Sequence, residues 1–137
     1  MDYQQLLTAI ATLFGALDGA SHTHTGVNAL QDEFEPNGWV VEIVAQNDTQ
    51  HIDNYIEEAV TIRASFYVDA VSEELDGRLT EARNMMHRAR DAYYADQTLG
   101  GLVEWSQLAN QRVVDALDVD GRPWVACQLD ILSLIHI

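Results

Sequence analysis

The spacing of apolar residues divides the chain into helical and extended stretches. From Asp2 to Leu17, the residues Tyr3, Leu6, Leu7, Ile10, Leu13, Phe14 and Leu17 recur every three or four positions. That spacing lines one side of a helix, with Gln4, Gln5, Thr8 and Thr12 on the other. Asp2 suits the N-cap, and Gly15 and Gly19 sit near the expected end. Asp18 to Gly38 has no such period and is dense in breakers: Gly19, Ser21, Gly26, Asn28, Pro36, Asn37 and Gly38. It reads as an unusually long loop, functional, mobile or holding a short helical turn around Ala29 to Phe34.

Extended stretches follow. In Trp39 to Ala45, the residues Trp39, Val41, Ile43 and Ala45 fall on one face and Val40, Glu42 and Val44 on the other, as in a strand buried on both sides. Gln46 to Asn54 is polar and turn-like. Tyr55 to Ala70 holds the cleanest alternation: Val60, Ile62, Ala64, Phe66 and Val68 against Thr61, Arg63, Ser65 and Tyr67. One of those faces is expected in the core, the other against solvent or a second subunit. Ser72 to Ala95 returns to helical spacing through Leu75, Leu79, Ala82, Met86, Ala89 and Tyr93. Its acids Glu73, Glu74 and Asp76 come first and Arg88 and Arg90 late, which suits the helix dipole. Leu99-Gly100-Gly101-Leu102 breaks the pattern. Val103 to Leu108 and Arg112 to Val119 read as strand with a bulge or bend between them. Asp118 to Pro123 is a hairpin turn centred on Asp-Gly. Trp124 to Ile137 is the last strand, with Val125, Cys127, Leu129, Ile131, Ile135 and Ile137 on one face, Ser133 the exception there, and Gln128, Asp130 and His136 opposite.

The expected architecture is therefore α+β. A mostly antiparallel four-stranded sheet carries two helices on one face, in the order α-β-β-α-β-β with a long loop after the first helix. The 137 residues fit a single domain, 1–137, with no internal repeat visible in the sequence.

Charge narrows the function. Twenty-two Asp and Glu face seven cations, a formal charge of −15. That balance disfavours wrapping DNA, which needs Lys and Arg on phosphates, and offers no polybasic membrane patch. No apolar run is long enough to span a bilayer. The start, Met-Asp-Tyr-Gln-Gln, has no basic stretch, so no signal peptide is expected. All seven cations are Arg (63, 78, 83, 88, 90, 112 and 122) and there is no lysine. An acidic, lysine-free surface resembles halophile proteins; an acidic protein from a high-GC organism is the alternative.

Candidate chemistry is sparse. His22-Thr23-His24 sets two imidazoles two residues apart, but a metal site needs further ligands, and no spacing ties Asp18, Asp32 or His51 to them. No metal and no cofactor is expected. His87 and His136 read as surface residues. The paired acids (Glu57-Glu58, Glu73-Glu74, Asp118 and Asp120) lie in no apolar frame that would raise a pKa towards a catalytic value. No nucleophile elbow, phosphate loop or dinucleotide glycine pattern occurs. The lone Cys127 sits in an apolar strand and reads as a buried, inert thiol. The chain is not expected to be an enzyme. Trp39, Trp105 and Trp124 lie near strand starts, where they pack the core rim or, in one case, anchor an interface.

One layout ties these stretches together. An alternating strand (Ala59 to Val68) leads into an acidic-start helix (Ser72 to Ala95), then Asp96-Gln97-Thr98-Leu99-Gly100-Gly101-Leu102-Val103, an irregular strand, an Asp-Gly hairpin and a terminal strand. Together with the leading helix, this resembles the tail terminator (tail completion, minor tail protein U-like) proteins of long-tailed viruses. Asp18 to Gly38 departs from that layout. The resemblance implies a structural role: a six-membered ring on the last ring of the tail tube, stopping its growth and meeting the head connector or neck protein. It implies binding without catalysis, a place in the virion after assembly in the host cytoplasm, and a channel through which DNA passes without sequence-specific contact. With the acidic composition, the implied source is a tailed virus of haloarchaea. Arg63 and Tyr67, on the open face of the best strand, are candidate subunit contacts. Arg112, Arg122 and Trp124, near the hairpin, are candidate tube or neck contacts. The alternatives are another head–tail joining protein, or a small α+β ligand-binding module of a halophile.

Overall fold

The computed structural model describes residues 3–25, 37–52, 55–69, 75–103, 105–119 and 122–136. The order is α1 (Tyr3–Gly15), β1 (His22–Thr25), β2 (Gly38–Ile52), β3 (Tyr55–Asp69), α2 (Leu75–Ala95), β4 (Trp105–Val119) and β5 (Arg122–His136). The sheet runs β1-β2-β3-β5-β4. Every neighbouring pair is antiparallel except β1 with β2, which is parallel. The class is α+β as the apolar spacing implies, but the sheet is mixed and has five strands rather than four. The helical turn around Ala29 to Phe34 and the cap at Asp2 fall outside the described residues.

Both helices lie on one face of the sheet, and the core forms between. Leu6, Leu7, Ile10 and Phe14 from α1 and Ala82, Met85, Ala89 and Tyr93 from α2 bury against Trp39, Val41, Val60, Ile62, Ala64, Phe66, Val68, Val125, Cys127, Leu129 and Ile131. These strand residues are the alternate positions that a half-buried strand sends to one side. At the centre, Trp39 packs between Phe14 (centroids 4.8 Å apart) and Phe66 (5.3 Å). Such tilted aromatic pairs add about 0.5–1.5 kcal/mol each beyond the area they bury. Cys127 is fully buried, and burial pushes its thiol up to about 12, which leaves it protonated and unreactive near neutral pH.

Two differences from the sequence reading have physical causes. The strand β1 (His-Thr-His-Thr) has no apolar alternation, because it is a four-residue edge paired only to Gly38–Val41. The polar stretch after Ala45 is not a turn. It continues β2 to Ile52, held by its ladder with β3. The register shifts between Ile43 and Ala45, so Val44 bulges and Ala45 falls opposite Thr61. Ala45 therefore leaves the face of Trp39, Val41 and Ile43. The bend expected around Ala109 to Gln111 is present as a register shift between Leu108 and Asn110, with a second between Val114 and Leu117. These shifts leave β4 one continuous strand.

The Leu-Gly-Gly segment closes α2. Leu99, Gly100 and Gly101 all have positive φ (52°, 72° and 85°). Three successive left-handed residues reverse the chain, which explains two glycines in a row. Leu99 tolerates the conformation because its side chain is buried in the core. The Gly100 amide donates to Asp96 Oδ1 (3.0 Å), and Val103 N donates to the Thr98 carbonyl (3.2 Å). Tyr93 and Ser106 hydroxyls then share a buried hydrogen bond of 2.7 Å that ties α2 to the start of β4.

At the other helix, Gly15 is small for a different reason. A Cβ there would meet Thr23 Cγ2 of β1 at 2.7 Å. Gly15→Ala is expected to destabilise the fold by about 1–3 kcal/mol through overpacking, despite alanine's better helix propensity. Thr23→Ser removes the offending methyl, so thermal melts of the double variant should recover most of the loss.

Candidate assembly surface

The sheet face away from the helices carries a row of charge across its middle. Register sets it: Glu42 of β2 lies opposite Arg63 of β3, Arg63 opposite Asp130 of β5, and Asp130 opposite Asn110 of β4. Arg63 grips Asp130 with two hydrogen bonds, Nε to Oδ1 at 2.9 Å and Nη2 to Oδ2 at 3.3 Å. Arg112, one step along β4, reaches diagonally to Oδ2 at 3.5 Å. A planar guanidinium fork on a carboxylate is the strongest arrangement such groups make. Hydrogen bonding to Asp130 pushes the Arg63 pKa further above its ordinary value. Burial raises the Glu42 carboxyl above its ordinary value, and the nearby Arg63 guanidinium opposes that rise.

Arg63 and Arg112, singled out from different parts of the chain, thus meet on one carboxylate. Asp130 and Glu42 complete the row, although neither stands out among so many acids. Only register identifies them, and a period-two pattern gives each strand's face but not its partner residue.

The remaining candidates sit differently. Tyr67 is not on an open face: it is only 5% exposed, and burial raises its phenol pKa. Ser65 beside it is also buried, so this part of the far face is closed to a partner. Trp124 is 2% exposed and equally unavailable as a contact. Arg122 begins β5, opposite Val119 at the hairpin; its side chain falls outside the described ones. Of the three tryptophans, Trp39 and Trp124 are buried and Trp105 is 44% exposed. Trp105 opens β4 beside a cleft of about 410 Å³ shared with Tyr94, itself 55% exposed, and Thr98.

Among the described residues, both sheet margins have strand backbone with no strand paired on the outer side. β4 is the last strand on its side over Trp105–Val119. β1 covers β2 only at Gly38–Val41, so from Glu42 onward no described strand pairs with the outer side of β2. His22 and His24 face Gly38 and Val40 across that short ladder. Among the described residues, no three or more His, Cys, Asp or Glu side chains group as a metal site, and no helix is long and apolar enough to cross a membrane. Compared with known proteins, the chain matches no family model and no curated protein.

Removing the Asp130 carboxylate leaves two guanidinium groups facing each other. Asp130→Ala is expected to cost about 1–2 kcal/mol in denaturant unfolding, between an exposed pair and a fully buried one. A cycle with Arg63→Met should show positive coupling. Glu42 acts the opposite way in the single copy. Its raised pKa means that the folded chain binds a proton more readily than the unfolded one, so stability falls as pH rises from the ordinary carboxylate value through the folded one. Glu42→Gln should flatten that decline and stabilise the protein slightly at neutral pH, as read by melting temperature against pH.

Proposed function

We propose that this protein is a non-catalytic structural subunit of a tailed virion. It closes into a ring that caps the tail tube and joins it to the head connector or neck. The supporting observation is β4, a strand of fifteen residues with no described strand along its outer side. A long free strand edge invites pairing with another chain, and monomeric proteins blunt such edges with charge, proline or cover. Here the stretch Trp105 to Val114 has no proline and a single charge, Arg112, and Asp115 and Asp118 follow only in the last third of the strand. The exposed Trp105 at its start adds the residue type most enriched at interface centres.

The α+β layout with two helices on one sheet face agrees with the tail-terminator resemblance of the sequence. Its partners in this reading are further copies of itself, the tail tube protein and the connector or neck protein, with DNA passing through the ring. It acts by shape: a heterologous contact that closes stops at a fixed number of copies, and one that fails to close makes fibres. The lysine-free acidic surface fits assembly in concentrated salt, where screening relieves repulsion between copies.

Light scattering in multimolar KCl, over a range of protein concentrations, tests this reading. A closed species near six subunits is expected, dissociating in dilute buffer as repulsion grows. A monomer at every concentration and salt would overturn it.

A further inference from the structure

The outer-face charge row is incomplete at both ends in a single copy. It reads Glu42, Arg63, Asp130, Arg112 across the sheet, alternating in sign. It begins with an acid on the outer side of β2 and ends with a cation on the outer side of β4, and both end residues are half-buried.

We infer that the open edge of β4 in one copy pairs with the open edge of β2, from Glu42 onward, in the next copy, Arg112 meeting the neighbour's Glu42. This deepens the ring reading and rests on it. Three features support the assignment. Among the described residues, no strand pairs with the outer side of β4, nor with the outer side of β2 beyond the four residues that β1 covers. Direction agrees, because β2 and β4 run oppositely within the sheet. Rotation about a ring axis lying roughly along the strands preserves each strand's sense, so β4 meets the next β2 antiparallel, the more stable ladder. Charge agrees as well. A displacement of one two-residue step between copies sets Arg112 beside Glu42, and the alternation continues unbroken from copy to copy.

The contact also gives Glu42 what it lacks alone. Its carboxyl is held above its ordinary pKa by burial, which a second guanidinium would offset. The pairing is heterologous: one surface meets a different surface, so copies follow head to tail. A self-complementary contact, β4 on β4 or β2 on β2, would place Arg112 and Glu42 in different interfaces and leave them unmatched.

Cysteine cross-linking tests this. The native Cys127 is fully buried and stays out of the reaction. E42C, R112C and the double variant E42C/R112C are oxidised in multimolar KCl and run on non-reducing gels. The double variant should give a ladder ending at the closed species. Each single variant should stay uncross-linked, and an equimolar mixture of the two should give covalent dimers and nothing larger. Dimers from either single variant alone would overturn the inference, because they require a self-complementary contact. A closed oligomer by light scattering with no ladder would overturn it too, while leaving the ring reading intact. A ladder without an upper limit would uphold the edge pairing and count against the closed cap. Monomers throughout would overturn both.

Discussion

The wedging of Trp39 between Phe14 and Phe66 is the constraint from which the rest follows. It joins α1, β2 and β3 at one point, and Trp39 and Phe66 are also register partners. A slip of one residue in that ladder would turn the indole out of the core and bring Val40 in. With Trp39 fixed, Glu42 falls opposite Arg63 three residues on. The outer-face charge row is thus a by-product of inner-face packing. Polar contacts around the wedge hold α1 in the same place: Tyr3 donates to Glu58, and Gln4 Nε2 donates to Thr25 Oγ1 at 2.9 Å. Arg88 of α2 donates to the Asp18 carbonyl at 3.3 Å just past the end of α1.

Much of this fold is legible in the residues. The helical stripe of Leu6, Leu7, Ile10 and Phe14 is the buried face of α1. Val60, Ile62, Ala64, Phe66 and Val68 are the buried side of β3. Both arise from a continuous apolar inner face, which leaves a period in the sequence. The strand β1 and the far half of β2 leave none; their residues are almost all polar, and a neighbour's ladder sets their backbone. The bulge at Val44 is equally silent, and it misassigns Ala45 by one face. Exposure on the far face is the other failure. Alternation marks Tyr67 and Trp124 as outward, and outward does not mean open here, since both are buried.

Charge legibility divides the same way. In a chain with few cations, each Arg is worth examining, and that scarcity draws attention to Arg63 and Arg112. Among twenty-two acids no such scarcity marks Asp130, which nevertheless holds both. The abundant partner is invisible in composition, and only the ladder between β3 and β5 names it.

The two hairpins, β2–β3 and β4–β5, turn at opposite ends of the sheet, at Ile52–Tyr55 and Val119–Arg122. A half-turn between β3 and β5 would exchange them and lay each strand almost on its counterpart. That axis passes through one register pair, Arg63 with Asp130. Unlike charges cannot be exchanged by a symmetry operation. The same half-turn would set Glu42 where Asn110 stands, and Arg112 where Ala45 stands. The backbone of the four long strands is therefore close to a reversible strip. Its two sides are told apart by β1, which pairs only with β2, and by the ion pair on the axis with the unlike charges near the rims.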